Sequence, residues 1–158
     1  MTLLPPRHWL AGLALMAAGE TLRLWAVGHI GRISRTRQDE VGGLVDVGPY
    51  ARLRNPLYVG NMLLFAGIGV IQWPSALLCV PLLALYYQQI VRWEEENLQE
   101  KLGDPYRDYL RRVPRWLPLG SPKTGLWSLQ TALRSERSTL IAIAVILGAL
   151  LLRSRLPQ

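Results

Sequence analysis

The sequence predicts an all-α integral membrane protein. The expected architecture is a bundle of about four membrane helices with a cytoplasmic pocket, formed by helix ends and a short amphipathic helical segment. Three observations predict it. Residues 57–72, 75–91 and 138–152 each form an apolar run without a single charged residue. At 1.5 Å rise per residue each run gives roughly 22–26 Å of helix, close to the ~30 Å hydrocarbon core. Flanking Trp, Tyr and Arg residues make up the difference at the interfaces. Three such runs in 158 residues, half of them apolar, leave few amphipathic partners for a soluble bundle. The length fits one membrane domain, 1–158.

Taken in order, the first helix is expected over about 8–31. Glu20 and Arg23 interrupt its apolar pattern. Arg7, an apolar stretch and Ala17-Ala18-Gly19 also satisfy the pattern of a cleaved secretory signal. The apolar pattern continues through Leu22, Leu24, Trp25 and Val27, which favours a spanning helix. Glu20 and Arg23 are then expected to pair at i,i+3 and face the bundle interior. A connection follows at 32–55. The second helix is expected over 56–72, and the third over 75–91 with an amphipathic extension to Leu102. Trp73-Pro74-Ser75 joins these two helices. Pro81 lies inside the third and is tolerable where neighbouring helices pack.

Gly103 suits the residue just past a helix end. Asp104-Pro105 reads as an N-cap followed by Pro at the first helical position. The short helix runs to about Arg112, with Tyr106, Tyr109, Leu110 and Val113 on its apolar side. Pro114 and Pro118 end it, and Gly120-Ser121-Pro122 marks a loop. A last apolar helix is expected from about Ser138, with Arg153 and Arg155 at its far end weighing against a full crossing.

The formal net charge is +7, but its distribution speaks of topology rather than nucleic acid. Residues 32–54 hold five arginines and residues 92–137 hold nine Lys or Arg, while Trp73-Pro74-Ser75 has none. Both polar stretches should therefore be cytoplasmic. The second also carries seven acids, as a folded mixed-charge surface would. A single cysteine, Cys79, excludes an intrachain disulfide. His8 and His29 lack neighbours at metal-ligand spacing. No phosphate-binding glycine loop or nucleophile elbow is present.

Two motifs flank the central apolar hairpin: GPYARLRNPLYVG at 48–60 and RWEEENLQEKLGDPYRDYLRRVPR at 92–115. A hairpin entering and leaving a bilayer returns its ends to one face, so these motifs can share a site. Asn55-Pro56 reads as an ordinary helix start. The same start offers unpaired N–H groups and a positive dipole end to a ligand carboxylate. Tyr50, Arg52, Arg54 and Tyr58 surround it. The acids Glu94-Glu95-Glu96 read most simply as a solvated face with Arg92–Glu96 pairing. Glu94 shares an i,i+4 stripe with Leu98 and Leu102, which places Glu94 toward the packed side.

Together the motifs resemble the isoprenylcysteine carboxyl methyltransferase family and the related phospholipid methyltransferases. The first follows the pattern G-x-Y-x-x-x-R-H-P-x-Y-x-G. The second follows E-E-x-x-L, then F-G-x-x-Y-x-x-Y, then V-P-R, here with Leu102 in place of Phe. The resemblance covers about residues 45–118, leaving 119–158 as a loop and C-terminal apolar helix. It implies a membrane enzyme using S-adenosylmethionine at the cytoplasmic face, with a lipid-like or lipid-linked acceptor as partner. Carried over, the cofactor-binding residues are Tyr50, Arg54, Asn55, Pro56, Leu57, Tyr58, Glu94 and Glu95. Arg92 is the catalytic candidate, orienting an anionic acceptor. Asn55 stands where the family commonly has His, so it can hydrogen-bond but cannot hold a proton.

A carboxylate acceptor is slightly favoured over an amine, because an amine would need a base and none is evident. Two other readings remain open. One is an NADPH-dependent sterol-type reductase sharing a similar R-H-P-x-Y motif. The other is a non-catalytic membrane scaffold.

Overall fold

The computed structural model describes residues 6–30, 43–72 and 76–155. The expected Trp73-Pro74-Ser75 turn and the arginines at 32, 35 and 37 lie outside them. The described residues form five α-helices and no strand: α1 Pro6–Ile30, α2 Pro56–Ile71, α3 Ala76–Leu102, α4 Asp104–Arg112 and α5 Leu129–Arg155. A 3-10 turn, Gly48–Ala51, precedes α2. Within α1 and α5, His8–Ile30 and Leu129–Arg153 are each long and apolar enough to cross a membrane. Helix α2 is apolar but shorter.

Helices α1 and α2 run antiparallel in close contact. A Cβ on Gly67 would lie 2.5 Å from the Gly12 carbonyl oxygen, and one on Gly19 would lie 2.6 Å from that of Gly60. The two pairs repeat at seven residues on each helix, two turns apart. Small residues let the backbones approach, which is how membrane helices gain dispersion contact without a hydrophobic driving force. Helix α5 lies antiparallel along α1. Ser128 N–H donates to the Gly28 carbonyl (3.1 Å), and Leu150 joins Met16, Leu64 and Ile71 in the core at the other end.

Three expectations need correction. Helix α5 begins nine residues before Ser138, because residues 129–137 continue the helix with Ala132 and Glu136 buried against the bundle. Asp104 is the first residue of α4 rather than its cap. The Gly103 carbonyl accepts from Tyr106 and Arg107 N–H groups, while the Asp104 carboxylate takes Arg107 Nη1 at 2.8 Å. Gly103 has φ +62° and ψ −134°, a conformation open mainly to glycine, and its N–H donates to the Gln99 carbonyl, so this one residue both ends α3 and redirects the chain into α4. The third concerns α3. Its packed stripe is Tyr87, Val91 and Glu95, all buried, whereas Leu98 is exposed and Glu94 half-buried. The helix is turned one residue from the expected phase.

Candidate functional site

The two motifs meet. The first begins at Gly48, where a φ of +58° and the His29 ring, which an added Cβ would approach to 2.5 Å, require glycine. Its N–H donates to the Lys123 carbonyl at 2.8 Å, and Gly120 N–H donates to the Arg52 carbonyl at 2.9 Å. The loop after α4 is thereby laced to the turn before α2. Helix α4 supports the same turn from its apolar side: Tyr109 hydroxyl donates to the Tyr50 carbonyl at 2.8 Å. Tyr106, Tyr109 and Val113 form the small core beneath, as their spacing predicts.

At the centre is Glu95. Arg115 grips it through Nε (3.2 Å) and Nη2 (2.6 Å), and Arg54 Nη1 lies 3.1 Å from the same carboxylate. Backbone bonds reinforce the join, with Arg54 N–H donating to the Pro114 carbonyl at 2.9 Å. One carboxylate thus links the entry of α2, the exit of α3 and the segment after α4. Both its oxygens are engaged within the protein, so Glu95 serves as the fastener of the site.

Asn55 occupies the cap position of α2 without capping it. Its Nδ2 donates instead to the Arg115 carbonyl at 3.2 Å. The start of α2, with Pro56 at its head, therefore keeps its dipole end without a side-chain cap. Leu57 follows it in the first turn. Tyr58 hydroxyl donates to Glu94 Oε1 at 2.9 Å, and its ring packs on Tyr87 with centroids 4.6 Å apart. Tyr50 hydroxyl and Arg54 Nε are buried without a hydrogen-bond partner among the described residues. Buried polar atoms normally find partners, so these two are open valences, and the charges felt by the Tyr50 hydroxyl include Arg23 and Glu136.

The surroundings shift the phenols. Burial pushes Tyr106 up to about 12, with the Glu95 carboxylate adding to the shift and Arg54 opposing it. Burial likewise raises Tyr50 and Tyr109. All three stay neutral donors at physiological pH.

The structure brings together Tyr50, Arg54, Asn55, Pro56, Leu57, Tyr58, Glu94 and Glu95. Arg92 stands apart, exposed on α3 outside this network, and pairing with Glu96 is not what engages the acidic run. Arg115 is the residue that reading by motif overlooked as a site member. Its signal was the V-P-R ending, whose proline breaks α4 and returns the chain to α2. Among the described residues no cluster of His, Cys, Asp and Glu has the makings of a metal site.

Residues 7–105 match the phospholipid methyltransferase family. Among curated proteins, the chain is 29% identical to protein-S-isoprenylcysteine O-methyltransferase B of Arabidopsis thaliana, over 71% of this chain and 61% of that protein. It is 34% identical to the cobalt-zinc-cadmium resistance protein CzcN of Cupriavidus metallidurans, over 68% of this chain and 46% of that one. The rat protein-S-isoprenylcysteine O-methyltransferase is 32% identical, over 75% and 45%. The chain thus spans about half the length of the curated relatives it matches. No solved structure matches it. With the family match running through α1, α2 and α3 and the two motifs joined at Glu95, the chain belongs to the phospholipid methyltransferase family.

Proposed function

We propose that this chain is a membrane methyltransferase that uses S-adenosylmethionine and acts on a lipid-like or lipid-linked acceptor at the cytoplasmic face. The observation that carries the reading is the junction itself: an uncapped helix start follows Arg54, whose buried Nε has no hydrogen-bond partner among the described residues, and the first turn of that helix carries Tyr58, bonded to Glu94. Those groups fit the cofactor's chemistry. The α2 start and Arg54 suit its carboxylate, Glu94 suits a cationic amine or ribose hydroxyls, and the Tyr58 ring suits a sulfonium. Bound there, the cofactor supplies an electrophilic methyl group.

The protein's own contribution is alignment and exclusion of water. Glu95 holds Arg54 and Arg115 in place, and Asn55 fixes the segment after α4 across the mouth of the junction. Arg92, exposed on α3 before the acidic run, orients an anionic acceptor from the membrane side. A carboxylate acceptor needs no general base, in keeping with phenols held neutral here. In this reading the four long helices form the membrane layer, and the arginine-rich stretches keep the junction cytoplasmic.

The isoprenylcysteine O-methyltransferase relatives support a lipid-linked acceptor. The test is calorimetry in nanodiscs with S-adenosylmethionine and, separately, NADPH. Binding of the former alone is expected, followed by transfer of its labelled methyl to a component of membrane extracts. Binding of NADPH alone would reverse the assignment.

A further inference from the structure

Arg23 of α1 reaches across the bundle. Its Nη2 contacts Glu136 Oε2 of α5 at 2.5 Å and donates to Thr139 Oγ1 at 3.3 Å. Its Nη1 donates to Asn61 Oδ1 of α2. Glu20, the expected i,i+3 partner, faces the same interior with Oε2 3.6 Å from Arg23 Nε. Asn61 Nδ2 in turn donates to the Tyr87 hydroxyl oxygen of α3 at 2.9 Å. A chain of hydrogen bonds therefore runs from α1 through α2 to α3.

Chemistry fixes the direction of this chain. A guanidinium donates and never accepts, so the Asn61 amide must turn its oxygen to Arg23 and its nitrogen to Tyr87. The Tyr87 oxygen accepts from that nitrogen, which leaves the single hydroxyl proton to be donated elsewhere. Tyr87 is 8% exposed, and its hydroxyl donates to no acceptor among the described residues. A buried donor without an acceptor costs free energy, and a ligand oxygen would relieve it. Position indicates which ligand. Tyr87 and Glu94 lie on one face of α3, two turns or about 10 Å apart. Tyr58 bridges them, its ring packed on Tyr87 and its hydroxyl bonded to Glu94. Asn61 lies five residues past the first residue of α2, roughly 7 Å deeper along the helix. The groups suited to the cofactor thus occupy the outer level, and Tyr87 lies on the bilayer side of them.

We propose, resting on the methyltransferase reading above, that the Tyr87 hydroxyl binds an oxygen of the methyl acceptor, and that Arg23 and Asn61 select a carboxylate acceptor by holding Tyr87 as a donor. A carboxylate accepts the O–H, whereas a protonated amine brings only donors to a donor already committed. Arg92 meets the anion outside the bundle and Tyr87 receives it within. In the transfer, a carboxylate lone pair forms the new O–CH3 bond as the C–S bond breaks. The electron pair of that bond stays on sulfur, which becomes a neutral thioether, and no proton moves. The carboxylate loses its charge along the way, so the bond from Tyr87 is strongest before the transition state. Tyr87 therefore contributes to acceptor binding rather than to the rate of the bound complex. Arg23 and Asn61 are positioning residues that act through it.

Methyl transfer by the full chain in nanodiscs tests the assignment, with labelled S-adenosylmethionine as donor and membrane extract titrated as acceptor. Wild type should place the label in an alkali-labile methyl ester rather than an alkali-stable methylamine. Tyr87→Phe should raise the extract needed for half-maximal rate by about tenfold or more, the worth of a hydrogen bond to a charged group. Its maximal rate and its S-adenosylmethionine affinity should hold, which separates acceptor binding from a structural role. Alkali-stable label in wild type, an unmoved half-saturation, or loss of cofactor affinity in Tyr87→Phe overturns the proposal.

A second arm needs no cofactor. Infrared difference spectra assign the phenol C–O stretch of Tyr87 as the band lost in Tyr87→Phe. That band should shift in Asn61→Leu, where no amide donates to the hydroxyl oxygen. An unshifted band overturns the fixed direction of the chain. Wild type that binds S-adenosylmethionine but labels nothing in the extract overturns the acceptor assignment. Wild type that does not bind S-adenosylmethionine, with the band shifting as expected, overturns the methyltransferase reading instead.

Discussion

Replacing Glu95 with alanine removes the group on which both motifs converge, and its cost can be worked from exposure. The Glu95 side chain is 9% exposed, Arg54 14% and Arg115 28%. Deleting one member of a buried ion pair costs about 3–5 kcal/mol, because the remaining charge is stranded. Arg115 is open enough to turn toward water, whereas Arg54 is held by its backbone bond to Pro114. The lower end of the range, about 3 kcal/mol, is therefore expected. That is roughly a hundredfold shift in the folded-to-unfolded ratio. Chemical unfolding in detergent micelles would read it, with Glu95→Ala, Arg115→Ala and the double variant forming a cycle. A coupling of about 1–3 kcal/mol is expected. Additive single effects, within about 0.5 kcal/mol, would refute the idea that Glu95 fastens the site.

Tyr58→Phe should keep the stacked ring and lose the bond to Glu94, weakening S-adenosylmethionine binding by about 1 kcal/mol in calorimetry while leaving stability nearly unchanged. Gly67→Ala should destabilise the α1–α2 contact by about 1–3 kcal/mol, since its Cβ would meet the Gly12 carbonyl oxygen at 2.5 Å. Unfolding of Gly103→Ala, where nothing lies within 4 Å, should show only the backbone cost of its φ +62°, ψ −134° conformation, about 1–3 kcal/mol. Tyr106 has its pKa raised from 10.0 to about 12, so the folded state holds that proton more tightly. The resulting stability is fully present below pH 10 and lost as pH rises toward 12. An alkaline melt should show this loss in wild type, and Tyr106→Phe should reduce it.

Local chemistry made much of this protein legible in advance. Uncharged runs announced helices because an apolar helix of that length has few other stable environments. Pro56, Gly103 and Pro114 marked boundaries because each restricts or frees the backbone at its own position. The motif pair pointed to one shared site because a returning hairpin constrains where its ends can be. The all-α class and the family follow from such signals, all carried by neighbouring residues or by their spacing.

What the tertiary structure decided depends on helix rotation and on partners distant in the chain. Glu94 and Glu95 are adjacent in sequence, and about 100° of helical turn separates a half-buried ligand candidate from a buried fastener. Apolar spacing alone chose the wrong one, because Leu98 is exposed. Asn55 looked like a cap, yet its side chain makes no capping bond and its amide nitrogen donates to the carbonyl of Arg115, sixty residues away. The α5 start was misplaced because Glu136 reads as a surface charge until Arg23 is found opposite it. Sequence by itself determined that the chain is helical and where the polar motifs lie. Only packing decided which charges are paired, since an ion pair is set by distance in space and not by separation along the chain.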